Sequence, residues 1–84
     1  MDGRTELHMA CESGDLLHVK HLVNCGADVN ALTSLGESPL FYAAYFGYSD
    51  IVLFLKSCGG DLNNQTAYGE TPLLWCMRHR IRVI

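Results

Sequence analysis

Apolar residues along the chain gather in short clusters at helical spacing, separated by breaks rich in glycine, asparagine and serine. Ile51, Val52, Phe54 and Leu55 form one such stripe. Ser49-Asp50 stands where a helix cap belongs and Gly59-Gly60 stops the run, with Lys56 near the end, where the helix dipole favours a cation. Upstream, Ser38-Pro39 pairs a hydroxyl cap with proline at the first helical position, and Thr71-Pro72 repeats the device. The segment from Pro39 to Phe46 is too short to persist as a helix alone, and Gly47 supplies a sharp turn at its end. The stretch from Asp61 to Gly69 carries turn formers and no helical stripe, so it predicts a hairpin-like finger.

These clusters recur. Gly3, Gly36 and Gly69 are 33 residues apart (36 − 3 and 69 − 36), and Thr5, Ser38 and Thr71 keep the same interval. Leu7, Leu40 and Leu73 follow it, as do the pairs Gly14/Gly47, Val19/Val52, Leu22/Leu55, Gly26/Gly59, Asp28/Asp61 and Asn30/Asn63. A two-helix unit this short cannot bury its own apolar face, so the copies must stack into a solenoid. The chain divides into repeat one at 3–35, repeat two at 36–68 and a partial repeat three at 69–84 within a single domain.

Composition narrows the function. The 84 residues are 49% hydrophobic and 18% charged, which suits a folded domain. A formal net charge of −3 supplies no basic field for phosphate backbones or anionic lipid, so neither nucleic acid nor membrane is an expected partner. Met1-Asp2-Gly3-Arg4 is too polar to open a secretory signal, and Cys11, Cys25, Cys58 and Cys76 lack the dense spacing of a disulfide scaffold. The expectation is an intracellular protein, cytoplasmic or nuclear, with reduced thiols.

Gly36-Glu37-Ser38-Pro39-Leu40-Phe41-Tyr42-Ala43-Ala44, followed by Gly47, Ile51-Val52 and Gly59-Gly60-Asp61-Leu62-Asn63, resembles the ankyrin repeat, whose motif runs G-x-T-P-L-H-x-A-A through two helices to G-A-D-V-N. Thr5-Glu6-Leu7-His8-Met9-Ala10 resembles the same opening with Glu6 in place of proline, and Gly26-Ala27-Asp28-Val29-Asn30 matches the ending verbatim. The resemblance implies an all-α solenoid of helix-turn-helix units joined by fingers, and a non-catalytic scaffold or adaptor that binds another protein. The third copy departs from the motif after Cys76-Met77: Arg80 stands where glycine ends the first helix, and Ile81-Arg82-Val83-Ile84 supplies no second helix. The apolar side of repeat two is then covered by one short helix, which predicts fraying or weak self-association of an otherwise monomeric chain.

In the ankyrin family, finger tips and the exposed side of the first helix meet the partner. Carried over by position, the first-helix candidates are Glu12, Ser13, Tyr45, Phe46, Arg78 and His79. The finger candidates are Leu32, Ser34, Leu35 and Glu37, then Gln65, Ala67, Tyr68 and Glu70. Tyr45, Phe46 and Tyr68 lead because aromatic side chains are enriched at interface hot spots, although packing under neighbours would also account for Phe46 and Tyr68.

His8/Cys11, His18/His21 and Cys76/His79 are helical i, i+3 pairs, but they sit in different helices and do not recur in repeat two, so neither a metal nor any cofactor is expected. His8 takes the place of the family's hydrogen-bonding histidine. His18 and His21, where repeat two has Ile51 and Phe54, read as a polar outer cap or as a pair that repels when protonated. Cys25 and Cys58 are one period apart, beyond disulfide reach if adjacent units are spaced like packed helices. No serine elbow, phosphate loop or HExxH pair points to an enzyme. Two alternatives stand beside adaptor binding. The chain could be a shortened product of a longer ankyrin protein that competes with it or is inactive. Leu22 to Asn30 also fits the family's asparaginyl hydroxylase pattern, making Asn30 a modification candidate, against a role in closing its own turn through side-chain bonds.

Overall fold

A computed structural model describes residues 3–83, so Met1, Asp2 and Ile84, named in the terminal expectations above, lie outside the described residues. Among the described residues the regular elements are five helices: α1 (Glu6–Ser13), α2 (Leu16–Asn24), α3 (Pro39–Phe46), α4 (Ser49–Ser57) and α5 (Pro72–Arg78). α1, α3 and α5 pack side by side as an inner row, while α2 packs on α1 and α4 on α3 as an outer row. The all-α repeat architecture follows the sequence period.

Each first helix starts on a hydroxyl cap. Thr5 accepts from the His8 amide, Ser38 from Phe41 and Thr71 from Leu74, at 3.3, 3.0 and 3.2 Å. Such caps satisfy amides that have no partner within the helix. Pro39 and Pro72 follow their caps and are buried. The second helices differ from one another. Asp15 caps α2 by accepting from His18, but the equivalent residue before α4 is Tyr48, which makes no side-chain cap bond. The expectation that Ser49-Asp50 caps this helix is therefore corrected: Ser49 is already helical, and the Asp50 carboxylate accepts from the Ile51 amide at 2.8 Å. Tyr48 instead crosses to repeat one, where its ring packs over Gly14 and its hydroxyl donates to the Glu12 carbonyl at 3.3 Å.

The core consists of Leu7, Ala10, Cys11, Val19, Leu40, Ala43, Ala44, Ile51, Val52, Leu55, Cys76 and Val83. Burial pushes the Cys11 thiol up to about 12 and raises Cys76 as well, so both are inert packing groups.

The third repeat is more regular than its sequence suggests. Arg80 adopts φ 58°, the left-handed conformation that Gly14 and Gly47 adopt in the earlier copies, and Ile81 N–H then bonds Cys76 C=O at 2.8 Å. Tyr48 to Ala43 and Asp15 to Ala10 make the same bond one and two periods earlier. The helix-ending turn thus survives the loss of glycine, at a cost of roughly 1 kcal/mol for a side chain in that conformation. Beyond it, Val83 is 6% exposed and belongs to the core, with Ile81 packed against it. The repeat-two face is therefore covered by α5 and by this tail, not by α5 alone.

Candidate functional site

Successive repeats align equivalent positions in rows. Arg4, Glu37 and Glu70 form one row, Met9, Tyr42 and Trp75 a second, and Glu12, Tyr45 and Arg78 a third, each at the interval of 33. Where the fingers rise beside the inner helices they leave an open cavity of about 270 Å³, walled by Glu12, Glu37, Phe41, Tyr42, Tyr45, Phe46, Tyr68 and Glu70.

The fingers that form one wall are braced by their own backbone. Thr33 N–H bonds Glu37 C=O at 2.9 Å and Thr66 N–H bonds Glu70 C=O at 2.8 Å, so each finger closes as the same tight turn. The Thr33 and Thr66 hydroxyls sit inside these turns and accept backbone amides. Ala67 N–H reaches Leu35 C=O at 2.8 Å and Asn64 donates to Gly36 C=O at 2.8 Å, locking one finger to the next.

The other wall is an aromatic cluster. The Tyr45 ring lies 6.4 Å from Phe41, 5.1 Å from Phe46 and 4.7 Å from Trp75, with the last two contacts edge-to-face. Spacings of this kind favour aromatic pairs and hold the rings in place. Tyr45 is still 46% exposed and Phe46 44%, so the cluster presents apolar surface to solvent, and Tyr68, 73% exposed, faces the cavity from the finger wall. Polar groups ring it. Tyr42 hydroxyl donates to the Glu37 carboxylate at 3.3 Å, and Arg4 pairs with Glu12 at 2.9 Å. The Tyr42 hydroxyl is shifted upward in pKa, chiefly by burial and then by the Glu37 charge.

His8 anchors this geometry from beneath. Its Nε2 is 2.8 Å from Glu37 C=O, an acceptor only, so Nε2 carries the proton. Nδ1 then accepts from Thr5 N–H at 3.1 Å and from the Thr5 hydroxyl at 2.8 Å. Burial lowers the His8 pKa, and the Thr5 amide pointing at Nδ1 leaves no place for a second proton.

Of the positions carried over from sequence, the structure brings Glu12, Glu37, Tyr45, Phe46, Tyr68 and Glu70 together around one cavity. Leu32, Ser34, Leu35, Gln65 and Ala67 are exposed on the fingers but do not line it; Leu32 borders a separate hollow with Asn30, Ser38, Asp61 and Asn64. Ser13 donates to Ala10 C=O, Arg78 lies over the Trp75 ring, and His79 packs over Gly47 with Nε2 donating to Tyr45 C=O at 2.9 Å. Phe41 and Tyr42 are site residues that the motif comparison passed over, although their register with His8 and Met9 was available as a signal.

Asn30 is placed differently from the expectation that its side chain closes its own turn. Its own turn is closed by Asp28, whose carboxylate accepts the Asn30 amide at 2.9 Å, while the Asn30 side chain donates to Gly59 C=O and accepts from Asp61 N–H, both at 3.0 Å. It is a clasp between repeats. His18 faces the Glu6 carboxylate at 3.2 Å and His21 faces Cys25, so the two rings have separate partners. Among the described residues no group of three potential ligands converges on a metal position, and no helix is long and apolar enough to cross a membrane. All four cysteines are free thiols.

Comparison with known proteins agrees with this architecture. The family model described as Ankyrin repeats (3 copies) matches residues 2–84. The chain is 46% identical over 54 residues to the Notch-regulated ankyrin repeat-containing protein of Xenopus tropicalis, covering 64% of this chain and 47% of that protein. The human protein of the same name is 44% identical over 54 residues, with the same coverage. Human Ankyrin repeat domain-containing protein 63 is 43% identical over 53 residues, 63% of this chain and 14% of that protein. The chain thus spans about half the length of the Notch-regulated relatives it matches. It belongs to the ankyrin-repeat family, whose members are generally non-catalytic protein-interaction modules.

Proposed function

We propose that this member of the ankyrin-repeat family is an adaptor that holds a segment of another protein in the groove between its fingers and its inner helices. The observation that carries the reading is the aromatic lining of the cavity: Tyr45, Phe46 and Tyr68 stay exposed although the fold has a core for such side chains. Apolar surface rimmed by polar groups is the usual mark of an interaction site. Tyr45 and Phe46, held on α3 by their ring contacts, would lose little side-chain freedom on binding.

An intracellular setting, cytoplasmic or nuclear, belongs to the same proposal and is supported by four unbonded thiols. Because curated relatives are named as Notch-regulated, components of that signalling system are the first partners to screen. The chain acts as a monomer in this reading, since the tail buries Val83 against the face where self-association would begin. Modification of Asn30 is disfavoured by its two bonds to repeat two, which would have to open first.

A two-hybrid screen with the intact chain and with the Tyr68→Ala and Tyr45→Ala variants tests the proposal. Partners that score with the former and are lost with the latter support it. Partners indifferent to Tyr68 and to Tyr45 would move the binding surface elsewhere.

A further inference from the structure

We infer that the groove accepts an arginine side chain from an extended segment of the partner, an inference that rests on the protein-binding reading above. The chain already displays this chemistry. The Arg4 guanidinium stands 5.5 Å from the Tyr42 ring centroid and pairs with Glu12 at 2.9 Å. One period on, Arg78 stands 5.0 Å from the centroid of Trp75, which occupies the same row as Tyr42. Two ring positions in one row thus each carry a guanidinium.

The cavity beside them offers more of the same surroundings. Tyr45 and Tyr68 present exposed rings, and Glu37 and Glu70 place carboxylates among them. With Glu12 these are three acidic groups lining the cavity, against two neighbouring guanidiniums, Arg4 bound to Glu12 and Arg78 over Trp75. The wall is therefore aromatic and net acidic. A planar guanidinium suits both features, because it stacks on ring faces and forks onto a carboxylate, whereas an ammonium does the second only as a point charge. The volume of about 270 Å³ lies below the range of roughly 300–1,000 Å³ typical of drug-sized sites, and fits one long side chain. The Glu37 carboxylate is also held by Tyr42 and by the Thr33 hydroxyl, so it is pre-oriented before any ligand arrives.

Random short peptides displayed on phage and selected on the intact chain test this, with affinities then read by fluorescence anisotropy. Selected sequences should be rich in arginine. Replacing the selected arginine by citrulline, which keeps the shape and removes the charge, should weaken binding about tenfold. Glu37→Gln with Glu70→Gln should weaken the arginine peptide similarly and leave the citrulline peptide unaffected, while the melting curve of the double variant stays that of the parent. Arginine-free sequences that bind, or a citrulline peptide that binds as well as its parent, would overturn the cation inference and leave the protein-binding groove standing. Association of the chain with itself, abolished by the double variant, would assign the groove to a second copy instead. No selected sequence at all would remove both readings.

Discussion

The Nε2 atom of His8 and the backbone carbonyl of Glu37 are 2.8 Å apart, a bond that crosses from the first repeat to the finger of the second. Through it a buried ring fixes the strand of backbone from which the Glu37 carboxylate reaches the groove. The same residue that holds the stack together thus holds the site.

Stability should depend on this ring as pH falls. Burial lowers the His8 pKa below its ordinary 6.5, with the Glu37 charge opposing and the Arg4 charge assisting. The native state therefore keeps His8 neutral while the unfolded chain protonates. The stabilisation is fully present above pH 6.5 and is lost as pH drops from there toward the folded value, with a slope of up to about 1.4 kcal/mol per pH unit. Urea unfolding at pH 7.5 and at successively lower pH would reveal it. His8→Phe, which places here the residue found at position 41, should be less stable at neutral pH and show a shallower slope; an equal slope would acquit His8.

Arg80 pays for its left-handed backbone, and glycine would not. Arg80→Gly should stabilise the chain by about 0.5 to 1 kcal/mol, the relief of steric strain being partly offset by the greater freedom of glycine in the unfolded state. Thermal unfolding followed by circular dichroism measures it. A destabilised variant would mean that the arginine side chain contributes contacts worth more than the strain.

Asn30 should matter more than an exposed asparagine normally does. Asn30→Ala removes two bonds to the second repeat, and the expected loss is about 1 to 2 kcal/mol. Asn63 occupies the equivalent place in repeat two, and Asn63→Ala in parallel measures how much of the effect belongs to the clasp. Equal losses at both positions would show that Asn30 acts only within its own turn.

Tyr68→Ala should separate binding from stability. The ring is 73% exposed, so its removal should change folding by no more than about 0.5 kcal/mol while costing about 2 kcal/mol of partner affinity. Isothermal titration with a partner or a selected peptide reads both the affinity and the stoichiometry. Unchanged affinity would take Tyr68 out of the contact surface.

Much of the fold was legible because a strict period of 33 assigns every element at once, whatever its local propensity. The groove was legible in part. Tyr45, Phe46 and Tyr68 were found by position, whereas Phe41 and Tyr42 were overlooked because the family pattern treats that stretch as helix interior. What the period could not supply were contacts made across repeats by backbone atoms. The carbonyl of Gly59, which receives Asn30, has no sequence signature, and neither does the carbonyl of Glu12, which receives Tyr48. The tail was opaque for the opposite reason: Ile81 to Val83 follows no repeat, so only three-dimensional packing reveals that Val83 enters the core.

Amide hydrogen exchange of the intact chain, with and without a partner segment from the two-hybrid screen or a selected peptide, tests the central claim most directly. The groove reading predicts slowed exchange across the finger and inner-helix amides from 33 to 46 and from 66 to 70, with α2 and α4 unchanged. Protection confined to the outer helices α2 and α4, with the groove amides exchanging as before, would contradict it.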